Sequence, residues 1–217
     1  MTIQPFDVAI DVGDAQPKIG WGQVYGAGIR IAMVKASEGT HFKSPVFEAQ
    51  KAGALAAGLK VVAYHFLRPG VEQQAQYFVL SAGLGHGSAF ALDWEGRASS
   101  TAAPVDVESI GNQLSSLTGR LPLGYWGNPG STPASPTPAM QSWDRWVPRY
   151  PLQGAKEFSD LPPDLAASRH PAGALFWQYT CWGQVPGIPV AVDRSVVYAN
   201  SVEEALAWCD TGARPAA

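Results

Sequence analysis

Asp93 and Glu95 stand two residues apart at the end of an apolar run, Ala89-Phe90-Ala91-Leu92, which they continue as Asp93-Trp94-Glu95-Gly96. In a β-strand, residues i and i+2 project from the same face, about 7 Å apart at roughly 3.3 Å of rise per residue. A carboxyl pair held this way suits cleavage of a glycosidic bond. One carboxyl stays protonated as general acid, and the other stays ionised to support positive charge at the anomeric carbon. Trp94 and Phe90 are expected to supply apolar surroundings that raise one of the two pKa values. The same short motif also occurs where a strand simply ends in a solvated acidic turn, so the remainder of the chain has to supply the context.

That context is a series of strands whose ends carry polar groups. Apolar, strand-like runs occur at Phe6–Ile10, Ile29–Val34, Lys60–Phe66, Ser88–Leu92 and Leu121–Tyr125, separated by stretches long enough for helices. Ser44-Pro45 reads as an N-cap followed by proline at the first helical position, which predicts a helix over 45–57 stopped at Gly58. Further helices are expected over 71–82 and over 104–118, the latter ending at Gly119, and Ser201-Val202-Glu203-Glu204 reads as a capping box. Asn128–Pro138 is too rich in Pro, Ser, Thr and Gly for a central strand or helix, and is expected to be a loop inserted over one face. Apolar runs return at Arg145–Tyr150, Ala174–Tyr179 and Val190–Val192 with little helical pattern between them. Five βα units followed by three strands predict an α/β fold, a single irregular TIM-like (β/α)5β3 barrel over residues 1–217. The ends of the runs carry Asp11, Lys35 with Glu38, Tyr64-His65, Asp93 with Glu95, Tyr125-Trp126, Gln178-Tyr179 and Asp193. In a parallel β/α barrel such ends converge on one opening, where the loops build the site.

Composition narrows the partners. The chain has 217 residues, 46% hydrophobic and 15% charged, which suits one well-buried domain. A net charge of −3 provides no basic field for nucleic acid. No apolar stretch approaches a membrane span, and Met1-Thr2-Ile3-Gln4-Pro5 lacks the basic region and long apolar core of a signal peptide. The four histidines, His41, His65, His86 and His170, form neither H-x-H nor H-E-x-x-H, so no metal and no cofactor are expected. Gly83-Leu84-Gly85-His86-Gly87 fits no phosphate-binding pattern and is expected to be a tight turn. Cys181, placed in a loop after a strand, and Cys209, in the terminal helix, are either one disulfide or two free thiols, and no basic partner marks Cys181 as a nucleophile.

The motifs as an ordered set are more specific than any one of them. Phe6-Asp7-Val8-Ala9-Ile10-Asp11-Val12, Met33-Val34-Lys35-Ala36-Ser37-Glu38-Gly39-Thr40, Val62-Ala63-Tyr64-His65-Phe66, Leu92-Asp93-Trp94-Glu95 and Phe176-Trp177-Gln178-Tyr179-Thr180, followed by Val185-Pro186-Gly187-Ile188 and Val192-Asp193, resemble glycoside hydrolase family 25 over about residues 6–210. The resemblance implies a lysozyme-like N-acetylmuramidase that hydrolyses the β-1,4 bond between N-acetylmuramic acid and N-acetylglucosamine in peptidoglycan. It implies Glu95 as general acid/base and Asp93 as its partner carboxylate. Asp11, Asp193, Tyr64, Tyr125, Trp177, Gln178 and Tyr179 are implied to line the sugar cleft, although Trp177 reads equally well as a core residue, and Lys35 and Glu38 read equally well as an ion pair bracing a loop. It further suggests retention of configuration, with the substrate's own 2-acetamido group attacking the anomeric carbon.

Two places depart from the pattern. Gly13-Asp14 stands where the family often carries Ser-His, and Ser195 stands where an asparagine is usual, which bears on peripheral sugar contacts. The competing readings are a barrel that binds cell wall without cleaving it and a chitinase-like glycosidase, since chitinase barrels also use D-x-E and an N-acetyl sugar. The expected partner is a bacterial glycan strand, engaged by a monomer. With no signal peptide read at the start, the setting is either release in the manner of an endolysin or a domain cut from an exported protein.

Overall fold

Alternation along each strand decides which side chains enter the barrel and which face the helices. The computed structural model describes residues 4–70, 73–127, 134–212 and 214. Its strands are β1 (Gln4–Val12), β2 (Ile31–Glu38), β3 (Phe42–Lys43), β4 (Lys60–Phe66), β5 (Phe90–Asp93), β6 (Leu123–Tyr125), β7 (Asp144–Pro148), β8 (Phe176–Gly183) and β9 (Val192–Ala199). They run side by side in the order β1-β9-β8-β7-β6-β5-β4-β2, and a β1–β2 pairing closes these eight into a barrel, with β3 added as a short hairpin on β2. Neighbours from β1 through β2, β4, β5, β6 and β7 to β8 are parallel, whereas β9 is antiparallel to both β8 and β1.

Two apolar layers follow from this alternation. Ile31, Met33, Val62, Ala91, Leu123, Trp146, Phe176 and Val197 pack inside the barrel. Ile10, Val12, Ala32, Val34, Phe90, Leu92 and Trp94 point outward and pack against helix residues that include Phe47, Phe78, Ile110 and Leu114. The helices are α1 (Trp21–Gly26), α2 (Phe47–Ala56), α3 (Gln74–Ala82), α4 (Pro104–Thr118), α5 (Pro163–Arg169) and α6 (Val202–Thr211). α4 has the expected bounds, with Pro104 in its first turn and Gly119 at φ +73° stopping it, a left-handed conformation that glycine adopts without a Cβ clash.

α2 begins later than its sequence signal suggests. Val46 is the N-cap, and the Ser44 hydroxyl instead donates to Asp14 Oδ1 at 2.6 Å, tying the loop after β1 to the start of the helix. Residues 71 and 72 of the helix expected over 71–82 lie outside the described residues, as do 1–3 and the 128–133 part of the expected loop. The Ser201 cap forms as expected, its hydroxyl accepting from Glu204 N–H at 3.2 Å.

α6 closes the barrel end where the parallel strands begin. The Trp208 ring meets Phe176 at 5.4 Å, and its Nε1 donates to Asp144 Oδ2 at 2.7 Å. Arg120, just before β6, donates to the Trp208 and Cys209 carbonyls at 2.7 Å each. The outer face of β8 and β9 is covered by Ala155, Leu161 and neighbouring loop residues with only the short α5 nearby, in line with the weak helical pattern of that region. Among the described residues no helix is long and apolar enough to cross a membrane.

Candidate active site

The open end of the barrel gathers four carboxyls from three strands. Asp11 closes the inner face of β1, and Asp193 lies opposite it in the antiparallel register of β9. Asp193 reaches this end because β9 runs the other way, so its beginning, not its end, meets the ends of the parallel strands. Asp93 ends β5 between Phe66 and Tyr125 in register. Glu95, two residues on, shares its side, and the intervening Trp94 N–H donates to the Tyr125 carbonyl at 3.0 Å, continuing the ladder past the strand end.

Burial pushes all four carboxyls upward, and repulsion by a neighbouring carboxylate adds to it at Asp11, Asp93 and Asp193. Asp93 lies well above the usual carboxylate range, first through burial and then through the Glu95 charge, offset in part by Lys35. Glu95 is raised by burial and pulled back by Lys35. Asp11 is raised strongly by burial and by the Asp193 and Asp93 charges, against a lowering hydrogen bond from Gln178. Asp193 is pushed up to about 6, mainly by burial. Asp93 Oδ1 is fully buried without a hydrogen-bond partner. An oxygen left in that state loses its solvation without replacement, so it is poised to accept from a ligand donor.

The cleft floor is aromatic. Trp146 meets the Tyr125 ring at 4.6 Å and the Tyr64 ring at 6.2 Å, both edge-on, and its Nε1 donates to Ser195 Oγ at 3.1 Å. Ser195 therefore supports the floor from inside the barrel. Tyr64 stands over the cluster and feels the charge of Asp11, Asp93, Asp193 and Glu95. Lys35 is paired with Glu38 at 2.7 Å, and Arg68 grips the other oxygen of Glu38 through two nitrogens. Despite partial burial, these two cations pull Glu38 below its ordinary pKa. The ion-pair reading of Lys35 and Glu38 describes this arrangement, and the field of Lys35 also reaches Asp93 and Glu95. A cavity of about 750 Å³ opens beside Glu38, Arg68, Phe42 and Asp106, between the β2–β3 hairpin and the segment after β4.

Some expected site residues lie elsewhere. Trp177 and Tyr179 flank the inward-facing Gln178, so alternation turns both outward. Trp177 Nε1 donates to the Arg149 carbonyl at 2.7 Å, and Tyr179 OH donates to Asp7 Oδ2 at 2.9 Å, both rings being fully buried away from the cleft. Phe90 and Trp94 likewise face the helices, Trp94 donating to the Ala102 carbonyl at 2.8 Å, so they do not surround the carboxyls. His65 faces α3, bonded to Ser37 and Gln74, and Trp126 packs on Trp94 and Trp143. Cys181 lies within β8, not in a loop after it, and both cysteines are free thiols. At Gly13, an added Cβ would come within 3.2 Å of Lys35 Cβ, so the chain passes closely beside that lysine.

Tyr150 belongs to the site and had a sequence signal of its own, the aromatic end of the Arg145–Tyr150 run. Its hydroxyl donates to Gln178 Oε1 at 2.6 Å, and its ring meets Trp182 edge-on at 5.9 Å.

A β/α barrel with carboxyls crowded at its open end has the architecture and the acid groups that hydrolysis of a glycosidic bond requires. The model of the glycosyl hydrolases family 25 matches residues 10–188, and the chain belongs to that family. It is 28% identical over 200 residues to the N,O-diacetylmuramidase of Chalaropsis sp, covering 83% of this chain and 87% of that protein. It is 40% identical to Lysozyme M1 of Streptomyces globisporus over 89 residues, which span 38% of this chain and 30% of that relative. The crystal structure of the bacterial lysozyme from Streptomyces coelicolor superimposes with a TM-score of 0.73 at 25% identity, covering 94% of this chain and 97% of that one.

Proposed function

We propose that the chain hydrolyses the β-1,4 bond between N-acetylmuramic acid and N-acetylglucosamine in peptidoglycan, with retention of configuration. The observation that carries this reading is Asp93 and Glu95 side by side on the inner wall at the open end, both elevated by burial and Asp93 with a buried, unpartnered oxygen. Glu95, the less buried of the two, protonates the leaving oxygen and afterwards takes a proton from water. Asp93 Oδ1 accepts the N–H of the substrate's 2-acetamido group, whose carbonyl oxygen attacks the anomeric carbon. The positive charge passed to that group is then met by the Asp93 carboxylate. Tyr64 and Tyr125 line the reacting sugar, and Asp11 with Asp193 forms the opposite acidic wall.

The names of the relatives, a lysozyme and muramidases, support this substrate class, and the net charge of −3 does not favour nucleic acid as a partner. We take the chain to work on glycan strands of the bacterial wall as a monomeric, single catalytic barrel. Reducing ends should appear when the protein is mixed with purified cell walls, and far fewer from chitin oligomers. NMR of the earliest products should show the β-anomer, with de-N-acetylated glycan cleaved much more slowly. An α-anomeric first product, or equal rates on acetylated and de-acetylated glycan, would overturn the substrate-assisted route. Binding to walls without release of reducing ends would overturn hydrolysis itself.

A further inference from the structure

Gln178 faces the cleft, yet its polar atoms are largely committed to protein partners. It is 2% exposed, and its Oε1 accepts from both Tyr125 OH at 2.8 Å and Tyr150 OH at 2.6 Å. This orientation turns the amide oxygen to two hydroxyls that can donate and the NH2 group to a carboxyl oxygen that accepts, so every contact joins a donor to an acceptor. Nε2 is thereby aimed at Asp11 Oδ2, to which it donates at 2.8 Å. Asp193 stands directly opposite Asp11 in the antiparallel register, which sets the buried Asp11 carboxyl beside the half-buried one of Asp193. Two carboxyls held this close and away from water resist ionising together, so one proton stays with the pair.

We infer that Gln178, locked by Tyr125 and Tyr150, is a positioning residue that holds the Asp11–Asp193 pair in a one-proton state, giving that wall of the cleft a single negative charge. The amide donor stabilises an ionised oxygen on Asp11 and so opposes a second proton, while the closeness of the two carboxyls opposes loss of the first. The same wall is faced by Asp93 and Glu95, by Lys35 beyond them, by the hydroxyls of Tyr64, Tyr125 and Tyr150, and by the Cys181 thiol. Lys35, the cation that faces the cluster, is already paired with Glu38, so among the described residues no cation near the pair takes over the role of the amide. This assignment rests on the reading of the cleft as catalytic only for its consequence in turnover; the proton count follows from the register of the two carboxyls and the amide contact.

Two variants test it. Gln178→Glu retains both tyrosine contacts, and while its carboxyl is protonated it can still donate to Asp11. Gln178→Met removes the donor at every pH. Carboxyl-carbon NMR titration of Asp11 and Asp193, with melting curves to establish folding, should show two separated steps in the wild type. In Gln178→Met both steps should move up by about one pH unit or more, the usual scale for loss of a hydrogen bond to a carboxylate. In wall hydrolysis, Gln178→Glu should approach wild-type kcat at acid pH and fall at least tenfold as its new carboxyl ionises, with KM moving less. Tyr150→Phe should give a smaller shift, because Tyr125 still holds the oxygen. Unmoved titration steps in folded Gln178→Met, or a loss in Gln178→Glu that is the same at every pH, would overturn the inference. Absence of hydrolysis by the wild type would defeat the proposed function while the titration still decided the proton count.

Discussion

The two ends of the barrel handle charge in opposite ways. At the closed end the polar groups are paired: Lys60 meets Asp210 at 2.7 Å, Arg120 is spent on helix carbonyls, and Trp208 is bonded to Asp144. At the open end Asp11, Asp93, Glu95 and Asp193 crowd together with Lys35 as the nearby cation, and one carboxylate oxygen is buried without a partner. A single strand repeats the contrast. On β1, Asp7 Oδ2 accepts from Arg194 at 2.7 Å, Tyr179 at 2.9 Å and Phe158 N–H at 3.1 Å while its Oδ1 is buried without a partner, whereas Asp11, four residues on, has no cation among the described residues and faces Asp193. The closed end is built for stability. The open end carries unfavourable electrostatics, the usual tension between stability and activity at a site.

The sharpest break in this comparison is Glu95→Gln. It should leave the melting temperature unchanged or higher and reduce wall hydrolysis by about 10²–10⁴-fold, the usual contribution of a general acid. The converse change at the closed end, Trp208→Ala, should cost about 3–5 kcal/mol of unfolding free energy through the cavity it leaves, read by denaturant melts. The pH profile of the remaining folded enzyme should keep its shape.

Asp93→Asn tests the cost of the site directly. Removing a charge from the crowded cluster should raise stability at neutral pH by about 0.5–2 kcal/mol while activity collapses. The same logic fixes the pH dependence. Carboxyls whose pKa is raised by folding contribute stability that is fully present below their unfolded values and lost as pH rises through the folded ones. Melting temperature should therefore fall as pH rises through about 6, where Asp193 ionises, and Asp193→Asn should flatten that fall. The smallest effect concerns the thiols. Because Cys181 and Cys209 are unpaired, added reductant should move neither melting temperature nor activity, and a measurable shift would mean a bond that the geometry does not contain.

Much of this was legible along the chain. α4 was bounded to the residue by Pro104 and Gly119, β4 by its own apolar run, and the inward pair Asp93 and Glu95 by period-two spacing alone. The same rule also excludes Trp177 and Tyr179 from the cleft once Gln178 is assigned inward, so their placement was within reach of the pattern. Other features had no local signal. The β2–β3 hairpin is two residues long, and the Ser44 hydroxyl was claimed by Asp14, thirty positions away in sequence, instead of by its own helix.

Residue type and spacing therefore determined most of the elements, the face of residues on regular strands, and the family to which the chain belongs. Those depend on contacts within a few residues, where backbone geometry leaves few choices. Only the closed barrel decided what each acidic group became. Asp7 and Asp11 are the same residue on the same strand, and nothing nearby in sequence says that one meets Arg194 and the other Asp193. That difference arises because a register shift in β1 between Asp7 and Ala9 puts the two aspartates on opposite faces, where antiparallel β9 offers Arg194 to the outer layer and Asp193 to the cleft. Protonation follows from the charges and burial that closure imposes on each group, and these come from strands far apart in the chain.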